Sequence, residues 1–230
     1  MIAKTLLPNP VKAVLFDMDG VIVDSEPLHH KAYYLMFAQV GIEVSPELYA
    51  SFTGQATLQI CQTLVTHFSL DQAAESLVAL KRTFFKALFE QDKSFDLLPG
   101  VLELIQDYHK NKLTLVLASS ASMANINRIF ERFDLNQYFK AKLSGADLKA
   151  SKPHPKIFIK AAEAAGFDRT HCVVIEDSEN GIAAAHAAGI FSIAYDSPHS
   201  KDQNYTQADY VIEDFSEIHF EALQKIRASK

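Results

Sequence analysis

VLFDMDGVIVDSEPLHH, residues 14–30, sets Asp17, Asp19 and Asp24 directly after a run of aliphatic and aromatic residues. Val14–Phe16 reads as a strand covered on both faces, because no polar residue alternates with its apolar side chains. Two acids one residue apart at the end of such a strand repel each other, so folding alone gives no reason for them. Three more runs share the pattern: LTLVLASSAS (113–122), HCVVIEDSENG (171–181) and GIFSIAYDS (189–197). Each is apolar and β-branched, and each ends in small or acidic residues. VLELIQDYHKN (101–111) and FIKAAEAAG (158–166) supply helical spacing between strands. Strands alternating with helices predict an α/β fold with a doubly wound parallel sheet. Ligands bind such sheets beyond the carboxyl ends of the strands, so the polar tips are expected to meet along one edge.

Between Asp24 and Asp96 the pattern changes. HKAYYLMFAQVG, PELYASFTG, ATLQICQTLVTHF and AAESLVALKRTFFKALFEQ all have helical spacing, and no strand-like run separates them. Ser45 before Pro46, and Ser69 before Leu70 and Asp71, are the expected helix starts. The organisation predicted is a core formed by 1–23 and 97–230 with a helical insertion at 24–96. Tyr33, Tyr34, Phe84, Phe85 and Phe89 are expected in the core of that insertion. Lys81, Arg82 and Lys86 form a basic stripe for which solvation is the expected state.

The 230 residues are 48% apolar with a net charge of −6, a globular composition that disfavours nucleic acid and anionic membranes as partners. MIAKTLLPNP is too short and too broken by Pro8 for a signal peptide, and no apolar run reaches membrane-spanning length. Cys61 and Cys172 stand far apart and read as reduced thiols of a cytoplasmic protein. No interface stripe is evident, so a monomer is expected.

The polar tips suit one demanding reaction. Phosphate-monoester hydrolysis is extremely slow unaided and needs a nucleophile, an acid and strong charge neutralisation. Asp17 suits the nucleophile, with Asp177 completing a Mg²⁺ site that neutralises the phosphoryl group. Asp19, two residues along an extended backbone, would face the same side and act as acid and base. Ser119, Ser120 and Lys152 would bind the remaining phosphoryl oxygens. Each residue also has a plainer role. Asp17 and Asp19 suit a turn or a Ca²⁺ loop, although Val21–Val23 supply no ligand. Glu176–Asp177 suits a helix cap, Ser119 a turn, Lys152 a solvated cation and His154 loop architecture.

In order, FDMDG, the Ser119 strand end, Lys152 in SKPHP (151–155) and EDSENGIAAAHAAG (176–189) resemble the four motifs of the haloacid dehalogenase superfamily. The resemblance spans essentially the whole chain. It implies a Rossmann-like core with an inserted helical cap, Asp17 as nucleophile and Mg²⁺ ligand, and Asp19 as acid/base with its carbonyl on Mg²⁺. It further implies Asp177 and Glu176 at the metal, and Ser119 and Lys152 on phosphate. Asp19 favours phosphoryl chemistry over dehalogenation, whose leaving group needs no proton. SFTGQATLQI (51–60) has no lysine, which disfavours phosphonate cleavage by a Schiff base. DSEPLHH resembles sugar-phosphate phosphatases and β-phosphoglucomutases, with Glu26 and His29 towards the substrate. The mutase pattern puts a Lys before a Gly and an Arg soon after it. Here Thr53 precedes Gly54, and Gln55–Leu58 holds no base. A phosphatase of small phosphate esters, sugar phosphates above all, is therefore the expected activity. A hexose-phosphate mutase and a non-catalytic phosphate- or metal-binding protein are the alternatives.

Overall fold

The structure is a computed structural model in which residues 10–52, 55–148, 150–197, 200 and 203–226 are described. The N-terminal segment read against a signal peptide, apart from Pro10, and the Thr53–Gly54 pair lie outside the described residues. The chain divides into two units, one running to Asp24 and again from Leu97, the other Ser25–Asp96.

The first unit is built on β1 (Ala13–Phe16), β2 (Thr114–Ser119), β3 (Phe139–Ser144), β4 (Cys172–Glu176), β5 (Phe191–Tyr195) and β6 (Tyr210–Ile212). All pair in parallel, in the order β3-β2-β1-β4-β5-β6. The chain thus steps outward from β1 to β3, then returns to place β4 on the other side of β1. Between β1 and β4 the winding reverses, and parallel sheets hold their ligands at such a reversal.

Helices close both faces, which is why the central strands are apolar throughout. Ala13 and Leu15 of β1 join Val116, Val174 and the alanine-rich faces of α7 (Lys156–Ala165) and α8 (Glu179–Ala188) in one buried layer. Phe16 turns to the opposite face and meets Tyr108 of α5 (Val101–Lys110) with ring centroids 6.3 Å apart. The buried Tyr108 hydroxyl donates to the carbonyl of Ile218 at 2.5 Å, tying α5 to the C-terminal segment. α6 (Met123–Arg132) follows β2. β3 and β6 have no counterpart among the four apolar runs, because both are edge strands. In FKAKLS the lysines turn outward, Lys140 to the carbonyl of Ala165 at 2.8 Å and Lys142 to Asn127 at 2.9 Å.

The second unit holds α1 (Glu26–Val40), α2 (Pro46–Ala50), α3 (Thr57–Phe68) and α4 (Ala74–Gln91). Tyr33, Met36 and Phe37 pack with Ile60, Cys61, Leu64, Leu77 and Val78 in its core. Ser45 caps α2 as expected, accepting from the Leu48 N–H at 3.2 Å. Ser69 starts no helix. It ends α3 in the left-handed region (φ 50°), and α4 begins only after Ala73. A serine suits either end of a helix, and the last turn of α3 claims its N–H, which donates to Val65.

Lys81 also departs from expectation. It is 3% exposed, whereas Arg82 and Lys86 stay in solvent, with Lys86 3.8 Å from Glu90. Lys81 shares the inward face of α4 with Phe85 and Phe89 at i, i+4 spacing, whereas Arg82 and Lys86 are rotated away from that face. Of the aromatic set, Tyr34 is exposed (38%) rather than in the core. Both cysteines are buried free thiols. No helix among the described residues is long and apolar enough to cross a membrane.

Candidate active site

The ladder places the site before any side chain is considered. Phe16 pairs with Leu117 on one side and Ile175 on the other, so Asp17, Ser119 and Glu176–Asp177 all leave the sheet at its carboxyl edge. Asp17 extends β1 by one bond, its N–H donating to the Ile175 carbonyl at 3.0 Å. The chain then doubles back: the N–H groups of Ile22 and Val23 both donate to the carbonyl of Met18. Gly20 permits this turn with φ +82°, and a Cβ there would collide with the Asp177 carboxylate. Gly181, in the first turn of α8, likewise leaves room for the carboxylate of Glu176.

Asp17, Glu176 and Asp177, all buried, bring carboxylate oxygens within 4.8 Å of one another. Lys152 enters from the loop between β3 and α7, buried against the ring of Phe158. Its ammonium lies 2.5 Å from Asp17 Oδ1 and 2.7 Å from Glu176 Oε1. The other Glu176 oxygen accepts from the Ser178 N–H and hydroxyl at 2.6 and 2.9 Å. Ser178 in turn caps α8 by accepting from the Gly181 N–H.

Burial dominates the charge states. It pushes the Asp17 carboxyl up to about 7, with Lys152 opposing the rise and Glu176 and Asp19 adding to it. Asp177 is raised for the same first reason, helped by Glu176 and Asp17. For Lys152 burial works against the ammonium, but the facing carboxylates of Asp17 and Glu176 outweigh it and hold the amine above its ordinary value.

Asp19 is half-buried in the turn, beside but outside the carboxylate trio. Ser119 is buried at the end of β2, its hydroxyl accepting from the Ala121 N–H at 3.0 Å, and Ser120 is half-buried next to it. His154 accepts from the Lys156 N–H at 3.2 Å, a loop contact. In the second unit, Glu26 on α1 accepts from the Tyr49 hydroxyl at 3.2 Å. His29 stacks on Phe85 (4.4 Å), with its Nδ1 2.5 Å from the Lys81 ammonium. An ammonium only donates, so Nδ1 is the acceptor and the imidazole proton sits on Nε2. Burial, and then the Lys81 charge, hold His29 well below the ordinary histidine range.

A family model for a haloacid dehalogenase-like hydrolase matches residues 11–189, which take in the whole β1–α8 arrangement. The chain belongs to the haloacid dehalogenase-like hydrolases. Among relatives of this hydrolase, hexitol phosphatase B of Escherichia coli K12 is 29% identical over 212 residues, covering 92% of this chain and 96% of that protein. The β-phosphoglucomutase of Bacillus subtilis is 28% identical over 221 residues, covering 94% and 95%. CbbY from Rhodobacter sphaeroides, solved in complex with phosphate, shares the fold at a TM-score of 0.82 and 24% identity, covering 90% of this chain and 96% of that one.

Three contacts at Asp177 and the start of α8 escape a reading of the sequence. Ser200 donates to Asp177 Oδ2, Tyr205 donates to the Asp177 carbonyl, and Gln203 accepts from the Glu179 N–H. They lie in DSPHSKDQNYTQAD (196–209), whose composition signals only a loop.

Proposed function

We propose that this hydrolase is a Mg²⁺-dependent phosphatase of small phosphorylated metabolites, sugar phosphates above all, and that it works through a phosphorylated Asp17. The observation that carries the reading is the buried trio Asp17, Glu176 and Asp177 with Lys152 set between two of its members. When ionised, three carboxylates face one ammonium, an excess of negative charge in a site that little water reaches. The donors are all oxygen, the set that suits a hard divalent cation, and two glycines make room for the carboxylates of Asp177 and Glu176 to sit there. Asp17, Asp177 and Glu176 would hold Mg²⁺, and the ion would draw charge from the phosphoryl oxygens.

The chain's own residues account for the rest. The Asp17 carboxylate attacks phosphorus, forming an acyl-phosphate bond as the ester P–O bond breaks. Asp19 gives its proton to the departing alkoxide, then takes one from the water that attacks the acyl phosphate. That second attack releases inorganic phosphate and restores Asp17. Lys152 and Ser119 hold the remaining phosphoryl oxygens. Residues 24–96 would act as the cap that selects substrate, through Glu26 and His29.

A hexose-phosphate mutase is the second reading, favoured by DSEPLHH and by the β-phosphoglucomutase relative. The phosphatase is preferred because Gln55–Leu58 offers no cation for a second phosphate. Phosphorus NMR of the protein with Mg²⁺ and a panel of sugar phosphates, including β-glucose 1-phosphate with a trace of bisphosphate, separates the two. Growth of inorganic phosphate is expected; conversion to the 6-phosphate without release would establish the mutase instead. Asp17→Asn should abolish turnover while leaving the circular dichroism spectrum intact, and appreciable residual activity would overturn the nucleophile assignment.

A further inference from the structure

Asp177 occupies an awkward place in the chain. Glu176 ends the β4 ladder and Ser178 caps α8, so the Asp177 carbonyl has left the sheet before a helix can use it. A main-chain acceptor at such a buried turn needs a donor from elsewhere. The segment between β5 and β6 supplies one. The Tyr205 hydroxyl donates to the Asp177 carbonyl at 2.6 Å and lies 3.3 Å from the carbonyl of Tyr195, the last residue of β5. Its ring is fixed against Ile182 of α8, Ala194 of β5 and Ala208. Two residues earlier, Gln203 Oε1 accepts from the Glu179 N–H at 2.9 Å, at the start of α8. One loop therefore grips the β4–α8 turn twice through its backbone, on either side of the cap residue Ser178.

We propose that Tyr205 is a positioning residue of the metal site: its hydroxyl fixes the Asp177 main chain, and so the aim of the Asp177 carboxylate towards the cation shared with Asp17 and Glu176. The role rests on the Mg²⁺ reading of that trio. Without the hydroxyl the Asp177 peptide loses this donor and can turn towards another, leaving the Ser200 hydroxyl to hold the carboxylate. Partners that orient a ligand from behind are worth about 10–100-fold in metal affinity. A contact made through the backbone belongs at the lower end, about tenfold.

The test is direct Mg²⁺ binding by titration calorimetry with MgCl₂ and no substrate, on wild type, Tyr205→Phe and Gln203→Ala. Melting temperatures in EDTA are recorded alongside. Tyr205→Phe keeps the ring and its packing, so a rise of about tenfold in the Mg²⁺ dissociation constant is expected, with about threefold for Gln203→Ala. A purely structural role would lower the melting temperature in EDTA and leave the Mg²⁺ constant of Tyr205→Phe within twofold of wild type, which would overturn the proposal. Should Tyr205→Phe not fold, Gln203→Ala decides alone, and a wild-type constant there overturns the proposal as well. A wild type that binds no Mg²⁺ would remove the metal reading itself, and the Tyr205 role with it.

Discussion

Replacing Lys152 by Met tests the electrostatics of the carboxylate cluster in isolation from turnover. Methionine keeps the stem that packs on Phe158 and deletes the ammonium, whose side chain is only 4% exposed. Two contacts disappear, at 2.5 and 2.7 Å, and the carboxylates they served are themselves 8% and 2% exposed. Such a loss does not resemble that of a surface ion pair. Removing one member of a buried pair costs about 3–5 kcal/mol, because the remaining charge has neither partner nor water. Part of that is relieved as Asp17, already displaced upward, takes a proton, so the lower half of the range is expected near neutral pH. With a urea m-value of about 3 kcal/mol per molar for a chain of this size, the unfolding midpoint should fall by about 1 M at unchanged m. The assay is urea unfolding followed by circular dichroism in EDTA, so that no divalent cation replaces the missing charge. A midpoint shift below about 0.3 M would refute the reasoning, since it would mean that the carboxylates are hydrated or neutral without cost.

Two further perturbations probe other links. Because the folded His29 stays neutral while the unfolded chain binds a proton below about pH 6.5, its stabilising contribution is complete above that pH and is lost as pH falls towards the depressed folded value. His29→Phe, which keeps a ring on Phe85, should flatten the pH dependence of urea unfolding between about pH 7.5 and 5.5, and identical profiles for the two proteins would contradict the neutral imidazole. Gly20→Ala places a Cβ against Asp177 at φ +82°, a conformation that costs an L-residue about 1–2 kcal/mol. It should weaken Mg²⁺ binding at least about tenfold by calorimetry, and wild-type binding would show that the turn and Asp177 do not share that space.

What the sequence makes legible follows from how far apart the interacting residues stand. β1, β2, β4 and β5 are covered on both faces, so burial writes itself into consecutive apolar residues. β3 and β6 lie at the sheet edges, where FKAKLS can direct lysines to Ala165 and Asn127, and a continuous run is neither needed nor present. The acids at the ends of β1 and β4 are legible for the same reason as their strands, because each sits next to the run that positions it. Once parallel order is inferred, Asp17 and Glu176–Asp177 meet without any further information. Lys81 and Tyr205 are of another kind. The spacing of Leu77, Lys81, Phe85 and Phe89 along α4 puts the lysine on the inward face, but nothing within the helix names its partner His29, 52 positions away. Tyr205 reaches Asp177 from 28 positions away, beyond α8 and β5, and its hydroxyl meets a backbone oxygen, which leaves no mark on residue type at the receiving end. Local rules therefore expose the residues proposed to do chemistry, while those that hold them in place emerge only when the fold closes.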